Sequence, residues 1–472
     1  MKKALSLLLA LVLVIGLAAC GGGTDTTTTT AAPADNGETT TAAPEETTTA
    51  PSGDKEKINL YAFTDEVPGM IQRYLDFNPE VAEKYELNAT IIATTDGAYQ
   101  PALDQALAGG GADAPDIYCA EAAFILKYSQ GDAYQFAMPY EDLGIDVAAK
   151  LEEADIAQYT VDIGTNPDGK LVGLGYQATG GAFIYRRSLA EQVWGTDDPA
   201  EISKKVGPGW DTFFAAAEEM AAEGISMVSG DGDVWHAVEN SSEKGWVVDG
   251  KLNLDPNREE FLDIAKTLKD KGFMNETTDW QDPWFADMKG EGPKPVFGFF
   301  GPAWLINYVM AGNSGGEAPG EGTYGDWAVA EPPVGFFWGG TWLLANKDTA
   351  KAEVVADIIE WVTLDSSEEG LQYMWANGTL NGEGGTKDSV ASGTVMAKSN
   401  GELDFLGGQN MFDVFIPANA FANGKNLTQY DETINSNWRD QVRAYVAGEK
   451  SREDAIATFK QNVADNLDVI VE

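Results

Sequence analysis

Two cysteines and one histidine in 472 residues leave little room for disulfide or metal chemistry. Only Cys119 falls where the composition is that of a folded domain, so no intramolecular disulfide framework can form. No Cys/His set has the spacing of a metal centre. Positive charge is scarce too. Lys and Arg number 31 against 75 Asp and Glu, a formal charge of -44, and no basic patch interrupts it. Such a surface repels nucleic acid and anionic headgroups, which leaves neutral or cationic solutes as the natural partners.

Glycine is abundant, at 52 residues, and produces two motif matches that carry no chemistry. Gly320-Glu321-Gly322-Thr323-Tyr324-Gly325 fits G-x-G-x-x-G, but no strand precedes it and no helix opens from it. Gly312-Asn313-Ser314-Gly315-Gly316 fits G-x-S-x-G, but it follows a helix where a strand-to-helix elbow is needed. Asp231 and Asp233 could open a calcium loop, yet the ligands that should follow are missing. The expectation is no metal, no cofactor and no catalytic set.

The chain is too long for one hydrophobic core, and 43% hydrophobic residues with 13 Trp suffice for two. At the N-terminus, Lys2 and Lys3 precede an apolar run from Ala4 to Ala19. Those 16 residues fall short of the ~20 that span a bilayer. The ending Leu17-Ala18-Ala19-Cys20 resembles the lipobox of bacterial lipoproteins. That resemblance implies a signal peptide over 1–19, cleavage before Cys20, and acyl chains such as palmitate on the new terminus. The protein would then be held outside the cytoplasmic membrane by lipid alone. Residues 21–57 contain twelve Thr with Ala, Pro, Gly and acids, a composition that cannot order itself. Residues 20–57 therefore read as a tether, averaging about 35 Å end to end as a coil.

From Ile58, strands alternate with helices. Ile58, Leu60 and Ala62 face one way, and Asn59, Tyr61 and Phe63 the other. A helix over 69–77, a strand over 89–93, a helix over 99–108 and a strand over 115–121 follow. This is a parallel or mixed α/β sheet with ligands beyond the strand C-termini, a rim that gathers Asp65, Tyr99 and Glu121. The stretch from Asp168 to Arg187 has two short apolar runs around Gly180 and Gly181, and reads as the passage between two lobes. Beyond it, Trp210–Ala221 is a helix with Asp211 as N-cap, Ile225–Val228 a strand, and 229–233 a loop leading to Trp235 and His236, the latter expected to have its hydrogen bonds met. Val296–Trp304 is a strand leading into a helix over 304–310. The segments 327–330 and 336–345 read as strands returning to the first lobe, with Glu331-Pro332-Pro333 as a second crossing. Helices close the chain over 434–446 and 452–470.

Taken together, Ala114-Pro115-Asp116-Ile117, Asp168-Gly169-Lys170 through Ile184-Tyr185, Gly209-Trp210-Asp211, Phe300-Gly301-Pro302-Ala303-Trp304, Trp338-Gly339-Gly340-Thr341-Trp342, Asp365–Gly370 and Trp438 resemble the extracellular solute-binding proteins of ABC importers. The likeness is to the carbohydrate branch that includes maltodextrin-binding proteins. It departs from the family where Arg186 follows Tyr185 and in the Gly-rich 311–326 loop. The resemblance implies an α/β fold of two lobes with mixed sheets flanked by helices, and closure by hinge crossings on a central cleft. Residues 58–176 plus 331–378 would form one lobe, and 177–330 plus 379–472 the other. It implies a monomeric binding protein and no enzyme, with the permease subunits of an importer as partners.

Sugars show both hydroxyls and C–H faces, so a site for them needs flat aromatic rings beside carboxylates and amides. The aromatic candidates are Trp235, Trp304 and Trp338, with Trp438 at a ligand-stacking position of the family. Phe63 and Tyr176 close strand-like runs, and Tyr99 opens the helix over 99–108 near the rim. Asp65, Glu121, Gln177 and Asp233 are the hydrogen-bonding candidates. Strand alternation puts Trp338 and Trp342 on one face and does not rank them, and Trp280 and Trp284 stand in a polar loop. The first reading is capture of a neutral sugar or oligosaccharide. Two alternatives stay open: a surface glycoside hydrolase, and a receptor for a cationic or peptide solute.

Overall fold

A computed structural model describes residues 55–472 apart from 95, 96, 241 and 383; the signal pattern, Cys20 and most of the Thr-rich stretch lie outside the described residues. Among the described residues the strands are, in chain order, β1 (Glu56–Ala62), β2 (Tyr85–Ile91), β3 (Ile117–Glu121), β4 (Gly173–Gly175), β5 (Ala182–Arg186), β6 (Val247–Val248), β7 (Lys251–Leu252), β8 (Gly298–Gly301), β9 (Trp327–Ala330) and β10 (Thr341–Ala345). No helix among these residues is long and apolar enough to cross a membrane.

A five-stranded sheet has the order β2-β1-β3-β10-β4. Its first three strands are parallel, and β10 runs antiparallel to both neighbours. The period of two in these strands sorts their side chains onto two faces. Ile58, Leu60, Ala62, Ile117, Cys119 and Leu343 feed one core, while Tyr118, Ala120, Trp342 and Leu344 feed the other. Cys119 is a buried free thiol. The second sheet, β8-β5-β9, is antiparallel and works the same way. Phe183 and Tyr185 pack on one face, and Ala182 and Ile184 on the other. Phe183 touches the rings of Phe300 at 5.2 Å and Phe213 at 5.8 Å. Burial of each such side chain contributes roughly 1.5–3 kcal/mol.

The Asp168–Arg187 stretch joins the sheets, because β4 belongs to the first and β5 to the second. A second passage lies between β9 and β10. The two crossings run side by side: Gly181 N–H donates to Phe336 O at 2.9 Å, and Trp338 N–H to Thr179 O at 3.1 Å. Gly181 is there for proximity, since a Cβ on it would sit 2.0 Å from Cζ of Phe336. The second crossing needs glycine for a different reason: Gly339 and Gly340 have φ of +75° and +113°. A third passage runs through residues 371–395, where Leu371 packs in the first core and Val395 in a core of the second sheet.

Several local expectations change. Residues 225–228 form only isolated bridges, Ser226 to Val296 and Val228 to Met274, because this segment is one residue wide against each neighbour. The following helix already begins at Asp231, so Asp233, Trp235 and His236 are helical. Gly209, not Asp211, occupies the N-cap of the helix Trp210–Ala222. Leu305–Met310 winds as a π-helix. Trp327–Ala330 remains in the second sheet, and the returning strand is limited to β10, because the left-handed Gly339 and Gly340 break the alternation before it. Trp342 is thereby separated from Trp338. It is buried, and its Nε1 donates to Thr160 O at 3.0 Å. Trp284 is likewise buried, on the helix Asp282–Lys289, while Trp280 stays 50% exposed.

Candidate functional site

A cavity of about 300 Å³ opens where the end of β3 and the second crossing face the helices Asp231–Asn240 and Asp431–Val446. That is at the small end of the size range of ligand pockets. Each wall follows from helical spacing. On Asp231–Asn240, Val234, Trp235 and Val238 pack into the core, Trp235 against Phe261 at 4.9 Å, which turns His236, Glu239 and Asn240 to the cavity. On Asp431–Val446, Ile434, Trp438 and Val442 face the core. The stripe Asp431, Asn435, Arg439 and Arg443 faces the cavity.

The aromatic wall is Trp338, which is partly exposed. Its ring stacks on the His236 imidazole at 3.6 Å and 15°, and meets Trp304 edge-on at 4.7 Å. Trp304 Nε1 donates to the carbonyl of Trp338 at 2.9 Å, which ties the indole to its crossing. Trp280 lies parallel to Trp304 at 6.2 Å. Both ring nitrogens of His236 are buried without hydrogen-bond partners, as are Asn240 Oδ1 and Asp431 Oδ2. Unpaired buried polar atoms are costly, and four of them belong to residues that line this one cavity.

Burial pushes the carboxyls of Glu121 and Glu239 up to about 7, and that of Asp431 up to about 6. For Glu121 the bond from Ala123 N–H opposes the rise, and the charges of Glu432 and Glu239 add to it. For Glu239 and Asp431 the Arg258 guanidinium opposes it. His236 moves down to about 3, because desolvation outweighs Asp279, so the imidazole is neutral.

Residues 80–403 match the model of the bacterial extracellular solute-binding protein family. The chain belongs to that family. No curated relative matches the sequence. Among solved structures, this solute-binding protein is similar to an extracellular solute-binding protein of family 1, with a TM-score of 0.69 and 19% identity over 87% of this chain and 99% of the other. The galacto-N-biose/lacto-N-biose I-binding protein of an ABC transporter from Bifidobacterium longum, solved with lacto-N-biose, gives a TM-score of 0.64 and 16% identity over 89% and 100%. The sugar-binding protein MalE from Xanthomonas citri gives 0.63 and 14% over 87% and 96%. These likenesses show the fold, two α/β lobes. The family places the solute-binding protein outside the cytoplasm.

Of the residues singled out in its sequence, Glu121, Trp235 and Trp338 line the cavity, Trp235 with only 1% of its surface exposed. Trp304 backs Trp338. Phe63 packs edge-on against Tyr99 and Phe124 at 5.6 and 6.1 Å, and Asp65 is exposed ahead of the helix Glu66–Phe77. Tyr99 is buried and donates to Cys119 O at 2.6 Å. Tyr176 is buried edge-on to Trp375, and Gln177 donates to Asp388 Oδ2 at 3.0 Å. Asp233 is buried and accepts from Gly230 N–H and Trp284 Nε1, both at 3.0 Å. Trp438 is fully buried against Phe459 at 4.9 Å. Sequence reasoning missed Glu239, Asn240, Asp431, Asn435 and Arg439 in the cavity wall, and expected His236 to have its hydrogen bonds met. The available signal was the four-residue spacing of polar side chains from Asp431 to Arg443.

Proposed function

We propose that this solute-binding protein captures a sugar or oligosaccharide in the cavity between its lobes and presents it to the permease subunits of an ABC importer. One observation carries the reading: a partly exposed indole, Trp338, stands in the wall beside buried acceptors that have no partner, in His236, Asn240 and Asp431. That pairing of a flat apolar face with unmet hydrogen-bonding groups suits a ring that has C–H faces and hydroxyl edges. Trp338 and Glu121 would touch the guest, with Trp235 buried behind them. Trp304 would support Trp338, and Tyr99, Tyr176, Asp233 and Trp438 would hold the walls from within. The lobes would be 58–176 plus 331–378 and 177–330 plus 379–472, and Cys20 would carry the acyl anchor, as incorporation of labelled palmitate lost in Cys20→Ser would show. The sugar-binding relatives of the same fold support the reading.

Titration of the full chain against a broad sugar panel, read by tryptophan fluorescence and thermal stability, tests the assignment. At least one sugar should shift both signals and be recovered intact, whereas a hydrolase would return it cleaved. A silent sugar panel with peptides or polyamines active would reject it.

A further inference from the structure

The cavity wall holds more carboxylates than cations. Glu121, Glu239, Asp431, Glu432 and Asp440 line it with Arg439 and Arg443, and no lysine does. Arg439 is already committed: one of its terminal nitrogens donates to both oxygens of Asp279 at 3.1 and 3.0 Å, a carboxylate that also stands 3.8 Å from His236 Nε2. Arg443 stands 3.8 Å from Asp440. Arg258, behind Glu239 and Asp431, gives its N–H groups to the carbonyls of Lys244 and Glu239 at 3.2 Å each. Among the described residues Glu121, Glu239, Asp431 and Glu432 thus share one wall with no direct ion pair, Arg258 acting on Glu239 and Asp431 from behind. Asp431 is 7% exposed; its Oδ1 accepts from Thr428 while its Oδ2 is buried with none. Asn240 Oδ1 likewise lacks a donor.

A neutral hydroxyl brings one proton donor to such a place, while an ammonium brings three and a charge. We propose that the sugar this cavity prefers carries a protonated amine, seated on Asp431 and its neighbours Glu239 and Glu121 while the ring lies on Trp338. The inference rests on the sugar reading and narrows it to amino sugars. The pH dependence follows from the groups that face each carboxyl. Glu432 and Glu239 face Glu121; Arg258, Asp431, Arg439 and Asn435 face Glu239; Arg258 and Thr428 face Asp431. Burial has raised all three, so Glu121 and Glu239 take up protons as pH falls through about 7 and Asp431 as it falls through about 6, and each then ceases to attract the amine.

Isothermal titration of the full chain with three matched pairs tests this: glucosamine and glucose, galactosamine and galactose, and the β-1,4 glucosamine dimer and cellobiose. At pH 7 at least one amine should bind tenfold or more tightly than its hydroxyl counterpart. The advantage should shrink at pH 5, where the amine is still charged. Asp431→Asn should weaken the amine tenfold or more beyond whatever it costs the hydroxyl sugar, so that the ratio within the pair falls toward one; Glu121→Gln is read by the same ratio if the first variant folds poorly. Equal binding within every pair overturns the amine inference and leaves the sugar reading intact. Binding of spermidine with silence from all six sugars overturns both.

Discussion

Replacing Trp338 by alanine separates the proposed sugar platform from the structural tryptophans. A partly exposed indole offers on the order of 50 Å² to a guest, and the sugar face laid on it hides a like amount. About 100 Å² removed from water at about 25 cal/mol per Å² is ~2.5 kcal/mol. Trp338→Ala should therefore weaken the best ligand by about 60-fold. The substitution also strips the His236 imidazole of its stacked neighbour at 3.6 Å, so thermal unfolding without ligand must be measured alongside. Trp438→Ala is the contrasting case: fully buried, it should cost about 3–5 kcal/mol of stability, with affinity unchanged in the fraction that folds. Isothermal titration of both variants gives the comparison. An affinity for Trp338→Ala within threefold of the parent, in a protein as stable as the parent, would refute the assignment.

Two further outcomes follow from contacts outside the cavity. Tyr308, beside the second sheet, donates its hydroxyl to Glu66 Oε2 at 2.6 Å, across to the helix that follows β1. Tyr308→Phe removes about 1 kcal/mol from the arrangement that holds the lobes together, and X-ray scattering should show a larger radius of gyration without ligand; an unchanged radius would argue against this contact as a latch. Asp388 is fully buried, and burial raises its carboxyl from 3.8 to about 8, with the charge of Glu66 adding and the bonds from Ser389 and Gln177 opposing. Because the folded value is the higher one, the contribution to stability is complete below about pH 4 and is lost as pH climbs through 8, at up to about 1.4 kcal/mol per unit. Asp388→Asn cannot ionise and should flatten that decline between pH 5 and 8 in urea titrations. A parent and variant with the same slope would show that the carboxyl is not the source.

The parts of the fold legible in the sequence are those where local pattern and final environment agree. Ile58, Leu60 and Ala62 alternate because β1 lies between β2 and β3 with a core on each face, and a period of two is all that such a strand requires. Gly180-Gly181 marked the passage between sheets because a Cβ on Gly181 would collide with Phe336 and one on Gly180 with Asn419. The site was harder to read. A polar stripe at four-residue spacing, Asp431 to Arg443, looks the same whether it faces solvent or a cavity, and only the packing of Trp438 on Phe459 turns it inward. Trp338 and Trp342 differ in environment because two left-handed glycines stand between them, a backbone event that side-chain periodicity does not report.

Those same glycines put the proposed platform on the connection between the two sheets. Trp338 belongs to neither sheet; it rides on the second crossing, and its own N–H is bonded to Thr179 O on the first. Gly340 O accepts from Ala122 N–H, next to Glu121 at the rim of the first sheet, and Gly339 O accepts from Thr179 Oγ1 at 2.9 Å. A guest pressed on the indole therefore acts on both crossings through direct hydrogen bonds, and on the backbone next to the rim carboxylate. Charge reinforces this geometry, because Glu121 comes from the first lobe while Glu239 and Asp431 come from helices packed on the core of the second. With nothing between them, these carboxylates would repel one another across the cavity to the extent that they are ionised. On the amine reading, a cationic group between them would turn that repulsion into attraction from both sides, so that the chemistry of the guest and the proposed closing of the cleft would be one electrostatic event.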